Sequence, residues 1–271
     1  MVSDPRNLRF MERESAMLLD APAEKTLLER MDAGGIAMAC LMGPNPHEGT
    51  TVTNADVLRL VELYPSRFVG FLGVDPSRDG PSRTQADIER AVDHWGFRGV
   101  GEIGGCDFLA PEWGIVFETC IQKQIPVLVH MGVPLPSMLL KYGHPFLLDE
   151  LAHRYPDLAI IAAHSGAPWI METLAVLVRH PNVYLDISTL PAIHEELARI
   201  VLTLCAGRGL EDRVLFGSDF PVVDPCSYAT AVSKLTVPAS IRWVMSMPSI
   251  SASFRQKILE ENAIRLLRLD L

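Results

Sequence analysis

No long hydrophobic run, no cysteine pair and no basic cluster occurs in this 271-residue chain. The longest uncharged stretch, Gln124 to Leu140, is 17 residues and carries Pro126, Pro134 and Pro136. A membrane-spanning helix needs about 20 apolar residues and accommodates prolines poorly. The mean hydropathy of +0.19 therefore points to a large core rather than a span. Arg6 and Arg9 are followed by Met11-Glu12-Arg13-Glu14 instead of an apolar segment, so no signal peptide is read. The five cysteines, at 40, 106, 120, 205 and 226, are odd in number and form no C-x-x-C. Neither a disulfide framework nor a thiolate zinc site is indicated. With 24 Lys+Arg against 33 Asp+Glu the net charge is −9, which disfavours nucleic acid as a partner. The expectation is a soluble, cytoplasmic protein with no membrane and no nucleic-acid partner.

What is present is core material: 48% of residues are apolar and 21% charged, which excludes disorder as the main state. The length is near the ~250 residues typical of one (β/α)8 barrel and short for two enzyme domains. Seven apolar, β-branched runs recur: Ile36–Met42, Phe68–Val74, Val100–Ile103, Val127–His130, Ala159–His164, Val183–Ile187 and Val214–Phe216. Their starts are 32, 32, 27, 32, 24 and 31 residues apart. Between them lie amphipathic helical patterns. One carries Val57, Leu58, Val61 and Tyr64; the next Ile88, Ala91, Val92 and Trp95; a third Val116, Phe117, Cys120 and Ile121. Phe146, Leu147, Leu151 and Tyr155 form another, and Ile193, Leu197, Ile200, Val201 and Leu204 a fifth. Strands apolar on both faces, alternating with such helices, predict a parallel sheet covered by helices.

An open doubly wound sheet gathers its chemistry at one switch point, whereas a barrel gathers it around a ring of strand ends. Here Glu102, His130, His164 and Asp219 end successive runs, and no glycine-rich nucleotide-binding motif follows any strand. The fold class expected is α/β, a (β/α)8 TIM barrel, in a single domain over residues 1–271. Residues 1–35 are atypical: Leu8, Met11, Ser15, Leu18 and Leu19 read as helix, Thr26–Met31 as another, and no first strand is found.

His130 ends VLVHMG, His164 ends IIAAHSG, and Asp219 follows VLFGSD. Imidazole nitrogens and a carboxylate converging on one point suit a divalent metal, zinc foremost, that keeps a position open for water. An adjacent carboxylate can take the proton of such a water. Glu102, in GVGEIGG, is a further candidate ligand, or a partner for an arginine inside the barrel. Each histidine alone is more simply a hydrogen-bonded strand end; the four together in matching places carry the hypothesis. His47, His94, His144, His153, His180 and His194 fall in helices or loops and are expected to be mostly solvated.

These blocks, in this order, resemble the amidohydrolase superfamily, specifically the group with aminocarboxymuconate-semialdehyde decarboxylase, resorcylate decarboxylases and pyrone-dicarboxylate lactonase. The likeness runs from about Leu27 to Leu269. Its marks are LLERMDAGGI (27–36), RFVGFLGVDP (67–76), His130, AAHSGAPW (162–169), HPNVYLDIS (180–188), LFGSDFP (215–221) and ENAIRLL (261–267). The resemblance implies metal ligation by His130 and metal or substrate contact by His164. It also implies that Asp219 is both ligand and proton acceptor. Trp169 is expected at the border of the substrate pocket, with core packing as its alternative. Arg78 is the nearest cation for an anionic substrate, unless it is merely solvated. Dimers are common among proteins of this type, so a homodimer is the assembly the resemblance offers.

The family opens with a first strand ending in His-x-His, and no H-x-H occurs here; the first histidine is His47. Either the chain starts late or half the metal shell is missing, which leaves the metal weakly held or absent. A barrel open or patched at its first strand is expected. The leading function is a hydrolase acting on a C–O or C–N bond of a small, carboxylated molecule. Its rivals are a non-oxidative decarboxylase and a catalytically degenerate barrel that only binds.

Overall fold

The computed structural model describes residues 23–47, 52–190, 195–220, 244–248 and 250–270. The first helix, α1 (Ala23–Gly34), contains the expected Thr26–Met31 segment, whereas Leu8 to Leu19 lie outside the described residues. Strands and helices then alternate: β1 (Ala39–Leu41), α2 (Asn54–Leu63), β2 (Phe68–Leu72), the single turn α3 (Pro76–Asp79), α4 (Pro81–Trp95) and β3 (Gly99–Ile103). They continue with α5 (Gly114–Lys123), β4 (Val127–Val129), α6 (Pro145–Arg154), β5 (Ile160–Ala162), α7 (Ile170–Arg179) and β6 (Val183–Asp186). After α8 (Glu195–Ala206) and β7 (Val214–Leu215), the described chain ends in α9 (Ala252–Gln256), one wide turn, and α10 (Asn262–Leu267). All seven expected runs supply a strand.

The strands form one parallel sheet in the order β1-β2-β3-β4-β5-β6-β7. Strictly sequential parallel neighbours joined through helices are the topology of a (β/α) barrel. Among the described residues the sheet has seven strands, and no pairing joins β7 to β1. Of the atypical segment 1–35, in which sequence reading finds no first strand, residues 1–22 lie outside the described residues. None of the helices described is long and apolar enough to cross a membrane.

Two apolar layers follow from the period of two along each strand. One side of the sheet packs on the helices: Val100, Val127, Val129, Ile160, Ala162, Val183, Leu185 and Val214 join Ile88, Phe117, Leu151 and Leu177 in the main core. The alternate positions Phe71, Leu128, Ile161 and Leu215 meet inside the barrel, with Leu267 of α10 joining them. Gly99 makes room there for Phe71: a Cβ at Gly99 would lie 2.3 Å from the ring. Burying each such Val, Leu, Ile or Phe side chain contributes about 1.5–3 kcal/mol.

Two residues assigned by periodicity to buried helix faces point outward instead: Phe146 is 72% exposed and Ile200 50%. Leu148 takes the inward place on α6, and at 100° per residue Phe146 lies about 200° round the helix from it. Val201 and Leu202 do the same beside Ile200. The N-terminal end of the barrel is sewn by side chains on backbone carbonyls. Asn182 Nδ2 donates to Tyr155 and Leu158 oxygens at 3.1 and 2.8 Å. Arg213 donates to the carbonyls of Leu177, His180 and Val183. The opposite, C-terminal ends of the strands are left to carry polar groups.

Candidate active site

The period of two that builds the barrel also aims the site. In β4, Leu128 faces the barrel interior, so His130 two residues on faces inward at its mouth. In β6, Tyr184 packs with the interior cluster and Asp186 follows on the same side. Glu102 breaks the count: from outward Val100 it should also face outward. The β3–β4 register shifts between Val100 and Ile103, and such an irregularity re-aims one side chain. Glu102 becomes the single incompletely buried position of β3, among Gly99, Val100, Gly101 and Ile103.

Glu102, His130 and His164 meet at the mouth. Glu102 Oε1 lies 2.8 Å from His130 Nδ1 and 3.3 Å from His164 Nε2. The two imidazole centroids are 4.9 Å apart at 60°. One donor atom from each residue can be chosen so that all lie within 4.8 Å of one another.

His164 stands on a left-handed turn, with φ 55° followed by Ser165 at φ 54°. Each such non-glycine residue costs on the order of 1–3 kcal/mol unless surrounding contacts hold it. Here Asp186 supplies the hold. Its Oδ2 accepts the His164 backbone N–H at 3.3 Å, and its carbonyl accepts the Ser165 hydroxyl at 3.1 Å. The same carboxylate accepts the Ser188 backbone N–H at 3.1 Å and the Ser188 hydroxyl, whose oxygen lies 2.9 Å from His164 Nδ1. Asp219, at φ 59°, stands two residues past Gly217 at the end of the β7 run.

Burial opposes charge on Glu102, His164 and Asp219, and their charged neighbours then move each of them differently. Burial works to raise Glu102, but hydrogen bonds from His130 and His164 hold its carboxyl well below the usual range. His164 is moved the other way. Burial would lower it, but the charges of Asp219, Glu102 and Asp186 lift it to about 10. Asp219 is pushed up to about 7, first by burial, with Glu102 and Asp186 adding to the rise and His164 opposing it. Three carboxylates crowding two imidazoles in a desolvated mouth are an arrangement that a cation relieves.

A divalent metal fits the donors. His130 uses Nδ1 on Glu102, while its Nε2 is buried without a hydrogen-bond partner. Buried polar nitrogens are ordinarily paired, and an inward imidazole nitrogen beside carboxylates is a metal-ligating atom. Glu102, His130 and His164 are the described residues whose donor atoms come together for such an ion, and Asp219 is not among them.

The remaining expected residues fall elsewhere. Trp169 is half-buried, and its ring lies 4.8 Å from that of His144 at a tilt of 52°, while His144 in turn lies 4.4 Å from Phe146. Arg78 lies in the single turn α3 after β2 and forks onto Asp79 at 3.1 and 3.0 Å. It lines a cavity of about 340 Å³ with Asp75, Asp79, Arg83 and Asp87, and no histidine is among the lining residues. Its charge is thus already matched by aspartates. The remaining histidines are less solvated than sequence suggests. His94 and His153 are exposed, but His180 is mostly buried with Nε2 2.7 Å from Asp149. His144 packs on Trp169, His47 Nε2 is buried, and His194 lies outside the described residues. Asp186 and Ser188 escaped sequence reasoning although they lie in the HPNVYLDIS block. Counting by two from the apolar β6 residues would have turned Asp186 inward.

Residues 6–269 match the model of the amidohydrolase family, described as "Amidohydrolase". The chain belongs to the amidohydrolase family. No curated protein matches its sequence. Among solved structures it is similar to an uncharacterised TIM-barrel protein from Bordetella bronchiseptica, with 25% identity and a TM-score of 0.73. That match covers 90% of this chain and 82% of the other. It is also similar to a probable 2-pyrone-4,6-dicarboxylic acid hydrolase from Acinetobacter baumannii with citric acid bound (16% identity, 96% and 95% covered, TM-score 0.68). A third is 5-carboxyvanillate decarboxylase from Novosphingobium aromaticivorans, complexed with manganese and a nitrobenzoic acid (21% identity, 98% and 84% covered, TM-score 0.68). This likeness establishes the amidohydrolase's fold as a TIM barrel.

Proposed function

We propose that this amidohydrolase is a metal-dependent hydrolase acting on a C–O or C–N bond of a small carboxylated molecule, in one domain spanning residues 1–271. One observation carries the reading: the inward cluster of Glu102, His130 and His164 with its buried, unpartnered His130 Nε2. Glu102, His130, His164 and Asp219 would hold the ion, zinc in this proposal. A bound divalent cation supplies Lewis acidity to the carbonyl under attack. Manganese in the carboxyvanillate decarboxylase makes that ion the first competitor to test.

The chain's own residues account for the proton. Asp219, raised to about 7, is matched to neutral pH, where a general base is most effective. Its carboxylate takes one proton from the attacking water as the new C–O bond forms. When the scissile C–O or C–N bond breaks, that proton passes to the departing oxygen or nitrogen. His164 Nε2 faces the same mouth; where it is not a ligand of the ion, it polarises the carbonyl instead. His144 and Trp169 form an aromatic border at the rim, where a flat substrate would rest. Arg78, held by Asp79, is the proposed contact for a substrate carboxylate only if it exchanges partners. A cytoplasmic location goes with this reading, on the odd and unpaired cysteine count of the sequence.

A non-oxidative decarboxylase is the second reading, favoured by the carboxyvanillate decarboxylase likeness; there the same acid would protonate the carbon that loses CO2. The test is a panel of lactones and hydroxybenzoic acids assayed with added zinc or manganese, following acid release and CO2. Ring opening or amide cleavage that is lost in Asp219→Asn supports hydrolysis. CO2 release without any hydrolysis overturns it. Equal inertness of the wild type, His164→Ala and Asp219→Ala across the panel overturns both in favour of a binding protein.

A further inference from the structure

We infer that Ser188 and Asp186 form a relay that positions His164: Ser188 binds the ring at Nδ1 and so reserves Nε2 for the reaction. The inference rests on the reading of His164 as a group that acts at the barrel mouth. Ser188 Oγ lies 2.9 Å from His164 Nδ1 and also bonds Asp186 Oδ2. A hydroxyl has one hydrogen to give, and the Asp186 carboxylate is already placed as an acceptor, taking the backbone N–H of His164 on Oδ2 and that of Ser188 on Oδ1. Ser188 therefore donates to Asp186 and turns a lone pair to the ring, which obliges Nδ1 to carry its hydrogen. The other nitrogen, Nε2, is left facing Glu102 at 3.3 Å.

The relay is built from three strand ends. Asp186, at the end of β6, accepts the backbone N–H groups of Ser188 and His164 as well as the Ser188 hydroxyl. It thus holds both the ring, through Ser188, and the left-handed backbone that aims the ring. Both residues are buried, Asp186 at 7% and Ser188 at 3% exposure, so water does not replace either partner. Gly217, from the end of β7, completes the enclosure. A Cβ there would lie 2.3 Å from Asp186 Oδ1 and 3.0 Å from the Ser188 Cβ. A purely structural Asp–Ser pair would not need its hydroxyl within bonding distance of a ring that meets Glu102. Ser188 and Asp186 are positioning residues, since each acts through His164.

The test is proton–nitrogen NMR on the full chain labelled with 15N-histidine, with His164 assigned from the spectrum of His164→Gln. In the wild type Nδ1 carries a hydrogen whose resonance is protected from exchange with water. Ser188→Ala loses that resonance while folding as the wild type by circular dichroism. Ser188→Thr and Ser188→Val have the same volume and differ by one hydroxyl; the resonance survives in Thr and disappears in Val, which holds even if the alanine variant fails to fold. An unprotonated Nδ1 in the wild type, or equal protection in Thr and Val, overturns the relay. With a substrate from the panel in hand, Ser188→Val lowers kcat by about 10–100-fold with KM unchanged, and Thr restores it. The spectra decide the relay whichever reaction the enzyme catalyses, so inertness on the panel refutes the proposed catalysis and leaves the relay to the spectra.

Discussion

Asn262 opens the NAIRLL helix and is fully buried, at 0% exposure. Its amide reaches back to the last strand: Nδ2 donates to Glu211 O at 2.7 Å and Val214 O at 2.8 Å, while Oδ1 accepts from Arg265 Nη2 at 3.0 Å. One side chain thereby pins α10 to the segment that enters β7 and leads to Asp219. Asn262→Ala leaves the buried Val214 carbonyl and the part-buried Glu211 carbonyl without this donor, at about 1–3 kcal/mol each. Arg265 keeps a second bond, to Asp212 O at 2.6 Å, so its loss adds little. The sum, roughly 2–5 kcal/mol, is a large share of the about 5–15 kcal/mol that holds a typical domain together. In a chain of this size that corresponds to a fall in Tm of roughly 5–15 °C. Asn262→Asp is expected to be worse, because it puts an acceptor against two acceptors. Urea unfolding followed by circular dichroism gives the free energies directly. An alanine variant within about 0.5 kcal/mol of wild type, the range of a neutral surface change, would refute the view that this amide ties α10 to β7.

Three further outcomes are expected. Gly217→Ala drives a Cβ to 2.3 Å from Asp186 Oδ1 and should destabilise by about 1–3 kcal/mol. Gly207→Ala, whose Cβ would meet nothing closer than 3.4 Å, should be near neutral, and equal urea midpoints for the two variants would sink the packing argument. His164, raised to about 10 by Asp219, Glu102 and Asp186 against burial, contributes stability that is complete below its unfolded value near 6.5 and is lost as pH rises through about 10. The metal-free protein should therefore weaken between pH 7 and 10, and His164→Gln should flatten that slope; an unchanged slope in the variant would assign it to other groups. Glu102→Gln removes the carboxylate shared by both imidazoles and should weaken zinc binding by about 10–100-fold, as read by calorimetric titration, with affinity equal to wild type as the refuting result.

The strands were visible in the sequence because parallel barrel strands are buried on both faces and read as continuous apolar runs. Val127-Leu128-Val129 and Ile160-Ile161-Ala162 needed no tertiary information. His130 and His164 stood out for the complementary reason, a polar residue directly after such a run. Helix faces were less legible. Phe146 joined an apolar pattern on α6, yet only the docking of Leu148 decided which side of that helix is inside. Asp186 was hidden because a carboxylate four residues into an apolar run carries no label of its own.

Sequence alone determined the alternation of strand and helix, the membership implied by its ordered blocks, and the four polar strand ends Glu102, His130, His164 and Asp219. Those are local properties, set by burial period and residue type. Tertiary structure decided the rest. An irregular β3–β4 register turned Glu102 inward onto both histidines, and Asp79 took up Arg78. Asp186 and Ser188, from a neighbouring strand end, came to govern His164. Each of these depends on distances between residues far apart in the chain, and charge and hydrogen bonding act through those distances rather than through sequence order.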